Sequence, residues 1–305
     1  MAVPIQSVVR ITTRRLASDL DLGKDALIDI LDLAAQMKRA PSRFAERLKG
    51  RYLALLFEKP SLRTRFTFEL AIKQLGGDSV ASAGPVAGRE PVKDVARNLE
   101  RWTNGIVARV FSQATIDELA AWSCVPVINA LSDKFHPCQA LADVLTLREH
   151  FGDLDGLKLA FIGDGNNVAH SLMLTASRLG VHVAVATPRG YEPDAAIAAQ
   201  AEGRVTITND PREALDGAHA VYTDVWASMG QEDEAAERVG VFAPFQVNED
   251  LFAQARPDAI FMHCLPAKRG LEVSDGVMES PRSVVFDQAE NRLHTQKALL
   301  VAMLG

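Results

Sequence analysis

Runs of apolar residues alternate with helix-length segments along most of this chain. Several of these runs have the length and continuous hydrophobicity of strands that are buried on both faces. They are YLALLF (52–57), GIVARVF (105–111), VPVINA (125–130), LKLAFIG (157–163), VHVAVAT (181–187), AVYTDVW (220–226) and DAIFMHC (258–264). Between them lie segments such as 24–40, in which Leu27, Ile28, Leu31 and Ala34 share one helical face. The pattern predicts an α/β fold of parallel sheets covered on both sides by helices.

Two domains are expected, because 305 residues exceed the usual size of a single hydrophobic core. The polar, glycine-containing stretch HFGDLDGLK precedes the strand at 157–163 and marks a boundary near residue 151. We therefore predict a first domain of residues 1–150 and a second of residues 151–287. Residues 288–305 form a predicted terminal helix that packs back on the first domain.

Composition narrows the range of partners. The formal net charge of −6 gives no field that would attract nucleic acid or an anionic membrane surface. No apolar run approaches the roughly 20 residues that span a bilayer, and the first residues lack a signal-peptide pattern. The three cysteines, Cys124, Cys138 and Cys264, are too few and too scattered for a disulfide framework. A cytoplasmic location follows, and any anionic ligand needs a local site.

The segment FEKPSLRTRFTFE, from Phe57 to Glu69, is the sharpest local signal. A predicted buried strand passes through a Pro-Ser turn into a helix whose first turn carries Ser61, Arg63 and Thr64. Free N–H groups, the positive helix end, two hydroxyls and a guanidinium would converge there, which suits a phosphate. The simpler interpretation is a helix cap beside solvated arginines. The G-x-x-x-x-G-K pattern of a nucleotide-binding loop is absent.

Two further clusters carry polar groups that could contact a ligand. In HPCQ, His136 and Gln139 could donate hydrogen bonds, although a histidine beside proline is often only a turn residue. In FIGDGNNV, the glycine turn favours dinucleotide binding, but Val168 stands where close helix packing requires a smaller residue. The next strand also lacks a ribose-binding acid at its end. Asn166 and Asn167 instead offer amides to a small polar ligand.

An acid and a thiol follow two later strands. Asp224 opens the segment DVWASMG and a long loop, a position from which it could pair with a ligand ammonium or serve as a solvated helix cap. Cys264 lies in HCLP, directly after an apolar strand. A thiol at that position is either a small buried apolar group or a reactive thiolate.

Together and in this order, these motifs resemble the aspartate/ornithine carbamoyltransferase family. The S-x-R-T-R, H-P-x-Q and H-C-L-P segments are similar to its carbamoyl phosphate motifs, and D-x-x-x-S-M-G to the signature of its ornithine branch. The similarity runs from about residue 12 to the end. It implies transfer of the carbamoyl group of carbamoyl phosphate to the δ-amine of L-ornithine, giving L-citrulline and phosphate. No cofactor and no metal are expected.

The resemblance also implies roles for individual residues. Carbamoyl phosphate would contact Ser61, Leu62, Arg63, Thr64, Arg109, His136, Gln139, Cys264, Leu265 and Arg292. Ornithine would contact Asn167, Asp224, Ser228 and Met229. Arg63, Arg109 and His136 would stabilise the oxyanion and the leaving phosphate. A Cys264 thiolate would orient the amine and accept its proton.

The family's architecture adds further expectations. The first domain would bind carbamoyl phosphate, the second would bind ornithine, and the active site would lie in the cleft between them. The assembly would be a homo-oligomer, most commonly a trimer. Two positions depart from the pattern. Leu62 replaces the usual threonine, and Val86 stands where relatives place a Gln or His that reaches a neighbouring subunit's phosphate site.

Three alternatives remain open at this stage. A nucleotide-dependent oxidoreductase would use the glycine turn but leaves the arginine segment without a role. A non-enzymatic binding protein would tolerate the loss of phosphate donors. Within the family, the acceptor could be an N-acylated ornithine or another amine. A free α-ammonium should need Asp224, whereas an acylated amine would not.

Overall fold

The computed structural model describes residues 11, 13–58, 61–201, 204–227 and 234–305. The chain forms two compact units. One consists of Met1–Leu141 with Arg292–Gly305, and the other of Ala142–Asn291. The domain boundaries that the sequence suggests, after residues 150 and 287, stay predictions.

The first unit contains a sheet of parallel strands in the order β1-β5-β4-β2-β3. Its strands are β1 (Arg15–Leu16), β2 (Tyr52–Phe57), β3 (Asp78–Ala83), β4 (Gly105–Arg109) and β5 (Val127–Leu131). Its helices are α1 (Lys24–Arg39), α2 (Leu62–Gln74), α3 (Val92–Trp102) and α4 (Gln113–Trp122). Strands β2 and β4 are buried along almost their whole length, as their continuous apolar runs predict.

Two longer helices contribute to both units. They are α5 (Pro137–Phe151) and α12 (Val285–Leu304). The chain passes from the first unit to the second within α5, after Leu141, and returns within α12, before Arg292. The first unit is therefore built from two separate stretches of sequence.

The second unit contains a parallel sheet in the order β10-β9-β6-β7-β8. Its strands are β6 (Lys158–Ile162), β7 (His182–Ala186), β8 (Val205–Thr208), β9 (Ala220–Thr223) and β10 (Ile260–His263). Its other helices are α6 (Asn167–Arg178), α7 (Ala195–Ala198), α8 (Pro211–Leu215), α9 (Ala235–Phe242), α10 (Glu249–Phe252) and α11 (Asp275–Met278). Ile162, Val221 and Phe261 pack in its buried hydrophobic core.

The predicted α/β class is confirmed, because each unit is a parallel sheet flanked by helices. Strands β1, β3 and β8 were not expected from the sequence. All three lie at sheet edges, where one side of the strand is unpaired and few positions are buried. Among the described residues, no helix is long and apolar enough to cross a bilayer.

The order of the strands determines where the candidate residues meet. In the first sheet β5, β4 and β2 are neighbours, and in the second sheet β10, β9 and β6 are neighbours. All strands of a parallel sheet have their carboxyl ends on the same side of the sheet. The segments that follow three adjacent strands therefore lie side by side. Each of the predicted motifs follows one of these six strands.

A close backbone approach fixes the turn that follows β6. Gly165 donates its N–H to the carbonyl of Tyr191 at 2.9 Å. A Cβ atom at Gly165 would lie 2.2 Å from the backbone nitrogen of Pro193 and 2.5 Å from the carbonyl carbon of Glu192. Only glycine fits there, and the turn delivers Asn166 to the start of α6.

Gly165→Ala should therefore destabilise the second unit. The added methyl group overlaps backbone atoms, which cannot rotate away, so the free energy of unfolding should fall by about 1–3 kcal/mol or more. Gly240→Ala is the matched control, because no heavy atom lies within 4 Å of its added Cβ and alanine favours a helix. Urea unfolding measures both variants. Equal midpoints for the two variants would contradict the close approach.

Candidate active site

The turn between β2 and α2 places polar groups at the N-terminus of a helix. Ser61 is the N-cap residue, with extended backbone (φ −143°), yet its hydroxyl makes no capping hydrogen bond. The first N–H groups of a helix have no intrahelical acceptor and carry partial positive charge. Leu62 is the first residue of α2 and has an apolar side chain, so its N–H is the group that it could offer a ligand. The interpretation of Ser61 as a simple side-chain cap is not supported.

Arg292 joins two of the predicted motifs within the first unit. Its Nη1 donates to Oε1 of Gln139 at 2.6 Å, and its Nη2 donates to Oγ1 of Thr64 at 2.9 Å. All three side chains are buried. The guanidinium fork therefore fixes the first turn of α2 relative to the first turn of α5, and it brings a permanent positive charge to the strand ends.

His136 precedes α5 and is buried beside this charge. Burial, followed by the guanidinium groups of Arg292 and Arg109, holds the pKa of His136 well below its ordinary value. Arg109 is the last residue of β4 and is half-buried. The imidazole is therefore neutral near pH 7, and one of its nitrogens carries a proton that it can donate.

Val86 lies between β3 and α3 of the first unit. Its side chain is buried, and it belongs to the same hydrophobic cluster as Val92 and Ala96. The approach of its segment to a neighbouring subunit stays a prediction. Its N–H donates to Oε1 of Glu58 at 3.0 Å. Within the single chain, Val86 is thus a core residue of the first unit.

In the second unit, the buried Asp224 is the centre of a small hydrogen-bonded cluster. The thiol of Cys264 donates to Oδ1 of Asp224 at 3.0 Å. The side-chain amide of Asn166 donates to Oδ2 at 2.8 Å, and the N–H of Val225 donates to Oδ1 at 2.8 Å. The cluster joins the segments that follow β6, β9 and β10, as the strand order requires.

The two neighbouring asparagines have different positions. Asn166 caps α6 by accepting from the N–H groups of Val168 and Ala169 while its amide holds Asp224. Asn167, which was predicted to bind ornithine, is the first residue of α6 and is half-buried. The predicted ligands Ser228 and Met229 lie outside the described residues.

The environment of Cys264 favours its protonated form. Burial, and then the Asp224 carboxylate, raise the pKa of this thiol well above its ordinary value. The thiolate that the resemblance implied is thus disfavoured in the ligand-free protein, where the thiol acts as a hydrogen-bond donor.

A buried histidine and acid hold the turn that contains Cys264. The N–H of Leu265 donates to Nδ1 of His263 at 2.8 Å, so the proton of the neutral ring lies on Nε2, which is 3.2 Å from Oε1 of Glu272. Oε1 also accepts from the N–H of Lys268 at 2.5 Å. Leu265 has a positive φ of 56°, an uncommon conformation for a non-glycine residue that these bonds support. No local sequence pattern indicates a role for Glu272.

Asp224, His263 and Cys264 also offer one set of metal-ligand atoms, which lie within 4.8 Å of one another. An acid, an imidazole and a thiol would suit Zn²⁺. However, the hydrogen bonds described above already occupy these groups, and a metal ion would have to replace several of them. The arrangement is therefore better explained as a hydrogen-bonded site for an organic ligand.

Acidification should destabilise the protein through His136. Because its folded pKa lies well below the ordinary value of 6.5, only the unfolded chain binds this proton between the two values. Above pH 6.5 this group leaves the free energy of unfolding unchanged. Below pH 6.5 the free energy of unfolding falls, by up to about 1.4 kcal/mol per pH unit. His136→Gln should reduce the difference in urea midpoint between about pH 7 and pH 5.5.

His150→Gln is the control for this measurement, because His150 is exposed on the last turn of α5. This variant should retain the parent's dependence on pH. If His136→Gln also retained it in full, the acid sensitivity would arise from other groups.

Comparison with known proteins agrees with this geometry. Residues 14–149 match the model for the carbamoyl-P binding domain of aspartate/ornithine carbamoyltransferases, and residues 155–303 match the model for the Asp/Orn binding domain. The ornithine carbamoyltransferase of Thermus thermophilus is 55% identical over 285 residues, which cover 92% of this chain and 94% of the relative. The anabolic ornithine carbamoyltransferase of Pyrococcus furiosus is 48% identical over an alignment of 313 positions, which covers 98% of each chain.

Solved structures show the same similarity. The crystal structure of the Thermus thermophilus ornithine carbamoyltransferase superposes with a TM-score of 0.90 at 50% identity and covers 97% of this chain and all of its own. The Pyrococcus furiosus enzyme gives a TM-score of 0.93 at 47% identity over 98% of this chain and 99% of its own. Sequence, site geometry and fold lead to one conclusion: the chain belongs to the aspartate/ornithine carbamoyltransferase family.

Proposed function

We propose that this chain transfers the carbamoyl group of carbamoyl phosphate to the δ-amine of L-ornithine, releasing L-citrulline and phosphate. The observation that carries the choice of acceptor is the buried Asp224 carboxylate, held by Asn166 and Cys264 at the strand ends of the second unit. A buried carboxylate is well suited to bind an ammonium group. Free ornithine has such a group on its α-carbon.

The first unit supplies the groups that carbamoyl phosphate needs. We assign the phosphate to the N-terminus of α2, where the backbone N–H groups of 62–64 and the side chains of Ser61 and Arg63 are available. The neutral His136 would donate to the carbonyl oxygen, on which negative charge develops as the tetrahedral intermediate forms. Each preorganised donor of this kind contributes a few kcal/mol to lowering the barrier.

Arg292, Thr64 and Gln139 would preorganise this site. Because the Arg292 fork is already bonded to both side chains, its charge and the two helix turns are in place before the substrate arrives. Arg109 would add a second cation beside the leaving phosphate. These are the positions at which the resemblance predicts contacts to carbamoyl phosphate, and they remain proposals for this chain.

The acceptor amine must be neutral before it can attack the carbamoyl carbon. A primary amine has an ordinary pKa near ~10.4, so the neutral form costs roughly 4–5 kcal/mol at pH 7. We propose that Cys264 takes part in removing the proton only after ornithine binds. In the free protein the Asp224 carboxylate raises the pKa of the thiol. An α-ammonium bound to Asp224 would offset that effect, so that the thiol would release its proton to solvent and the resulting thiolate would accept one proton from the δ-ammonium.

The alternatives fit the molecule less well. An N-acylated ornithine has no α-ammonium, so the buried Asp224 carboxylate would lose the favourable partner and keep its desolvation cost. A dinucleotide would have to use the turn after β6, where Asn166 is engaged by Asp224 and the backbone of residues 191–193 approaches Gly165 closely. The similarity to ornithine carbamoyltransferases along almost the whole chain also supports the first proposal.

We further propose that the enzyme works in the biosynthetic direction, toward arginine, in the cytoplasm. The Pyrococcus furiosus relative is named anabolic. Cys124, Cys138 and Cys264 are all free thiols, and Cys124 is exposed, which suits a reducing compartment.

The assembly that we propose is a homotrimer formed through the first unit. Leu62, Phe66 and Leu70 recur every fourth residue along α2 and form an exposed apolar stripe. Val80, on the edge strand β3, is also exposed. An apolar helix face beside the outer edge of an edge strand is typical of a surface that another protein covers.

Parallel assays of citrulline formation test the function. With carbamoyl phosphate supplied, L-ornithine should be carbamoylated, whereas N-acetylornithine, putrescine and aspartate should give little or no product. Asp224→Asn should raise the KM for ornithine about 30-fold or more, because a buried charged pair is lost. Asp258→Asn, at an exposed ion pair, is the control and should leave this KM unchanged. Equal rates with ornithine and N-acetylornithine would contradict the role of Asp224.

Substitution of the apolar stripe tests the assembly. Phe66→Asp places a charge in the proposed interface, so analytical ultracentrifugation should show a shift from three chains to one. Ile207→Asp, on the edge strand β8 of the second unit, is the matched control and should leave the mass unchanged. A trimer that persists in Phe66→Asp, with circular dichroism unaltered, would place the interface elsewhere.

A further inference from the structure

Arg238, on α9, is a buried cation that the site described above does not use. Its side chain is 6% exposed, and its guanidinium has three acceptors in the second unit. Nη1 donates to the carbonyl oxygen of Trp226 at 2.8 Å and lies 3.1 Å from Oδ2 of Asp164, while Nε donates to Oε2 of Glu234 at 3.0 Å. The guanidinium also lies over the ring of Tyr191, 4.9 Å from its centroid.

The partners of Arg238 lie at two strand ends that carry the proposed acceptor site. Asp164 is in the turn after β6, two residues before Asn166. Trp226 follows β9, two residues after Asp224. The strands β6 and β9 are neighbours, and the hydrogen bond from Asn166 to Asp224 joins the same two segments. Arg238 therefore makes a second connection between them, just beyond the carboxylate.

The chemistry of this connection depends on arginine. A guanidinium is planar and presents its donors in fixed directions, so one side chain can hold a carbonyl and two carboxylates at once. An ammonium on a flexible chain keeps the charge but cannot reproduce that geometry. The desolvated position also requires charge balance, since Asp164, Glu234 and Asp224 all carry carboxylates in this region.

We propose that Arg238 is a positioning residue for the acceptor. It fixes the segments of Asp164 and Trp226, and through them the directions in which Asn166 and Asp224 face a free α-amino group. Arg238 thereby sets the affinity for the α-amino acid part of the substrate and leaves the carbamoyl phosphate site unchanged. This inference rests on the function proposed above.

Kinetics of Arg238→Lys and Asp164→Asn test the inference. Both variants keep a polar side chain of similar size, and neither residue is assigned to contact substrate. We expect each to raise the KM for ornithine about tenfold, with kcat and the KM for carbamoyl phosphate changed less than threefold. The dissociation constant of L-norvaline, measured with carbamoyl phosphate present, should rise by the same factor, because norvaline has the α-amino acid group but no δ-amine.

Arg256→Lys is the matched control. Arg256 donates from Nε and Nη2 to the two carboxylate oxygens of Asp258 at 2.8 and 3.0 Å, but on the exposed surface of the same unit. This variant should keep the parent's kinetic constants. The urea midpoint of every variant is measured alongside, so that a loss of folding is distinguished from a loss of affinity.

Two results would overturn the inference. One is unchanged affinity for ornithine and norvaline in folded Arg238→Lys and Asp164→Asn. The other is a fall in kcat together with similar increases in both KM values. That result would indicate general disruption rather than positioning. Failure of the proposed function itself has a different signature, because the unmodified chain would then form no citrulline from ornithine.

Discussion

Parallel strand pairing is the constraint on which the rest of this molecule depends. Each crossover returns the chain to the same end of the sheet, so strands far apart in sequence finish side by side. In the first unit this arrangement gathers the segments after β2, β4 and β5. In the second unit it gathers those after β6, β9 and β10. Each set of polar groups would lose a member if one of its strands ran in the opposite direction.

The two units use opposite charges to control protonation. Around His136 the neighbouring charges are guanidinium groups, which together with burial keep the imidazole neutral. Around Cys264 the neighbouring charge is a carboxylate, which together with burial keeps the thiol protonated. An anion beside His136 would favour proton uptake by the imidazole, and a cation beside Asp224 would favour proton loss from the Cys264 thiol. A phosphate would enter the first environment, and an ammonium the second.

The sequence predicts the centre of each sheet better than its edges. The central strands β2, β4, β6 and β9 are buried on both faces, and their continuous apolar runs are visible without a structure. The edge strand β3, DSVASA, is mostly exposed and consists of small or polar residues, so hydrophobicity does not reveal it. Its strand character depends on pairing with β2 along its whole length.

In the candidate site, local motifs could likewise be predicted from the sequence, whereas contacts between distant residues could not. Motifs that are contiguous in sequence, such as those of Ser61, His136 and Cys264, could be recognised directly. The pairing of Arg238 with Asp164 spans about half of the second unit's sequence, and no local pattern indicates it. Likewise, the protonated state of Cys264 depends on Asp224, 40 residues away in the sequence, and follows only from the folded distance.

The bond between Arg292 and Thr64 spans 228 residues and has a consequence for protein synthesis. A ribosome must translate all of the second unit before it adds the guanidinium that bonds to Thr64 and Gln139. N-terminal segments of multidomain chains generally begin to fold while synthesis continues. Here the emerging chain can form the first sheet, but it lacks the residue that connects α2 to α5. The proposed site for carbamoyl phosphate would therefore stay incomplete in the nascent polypeptide until α12 has left the ribosome.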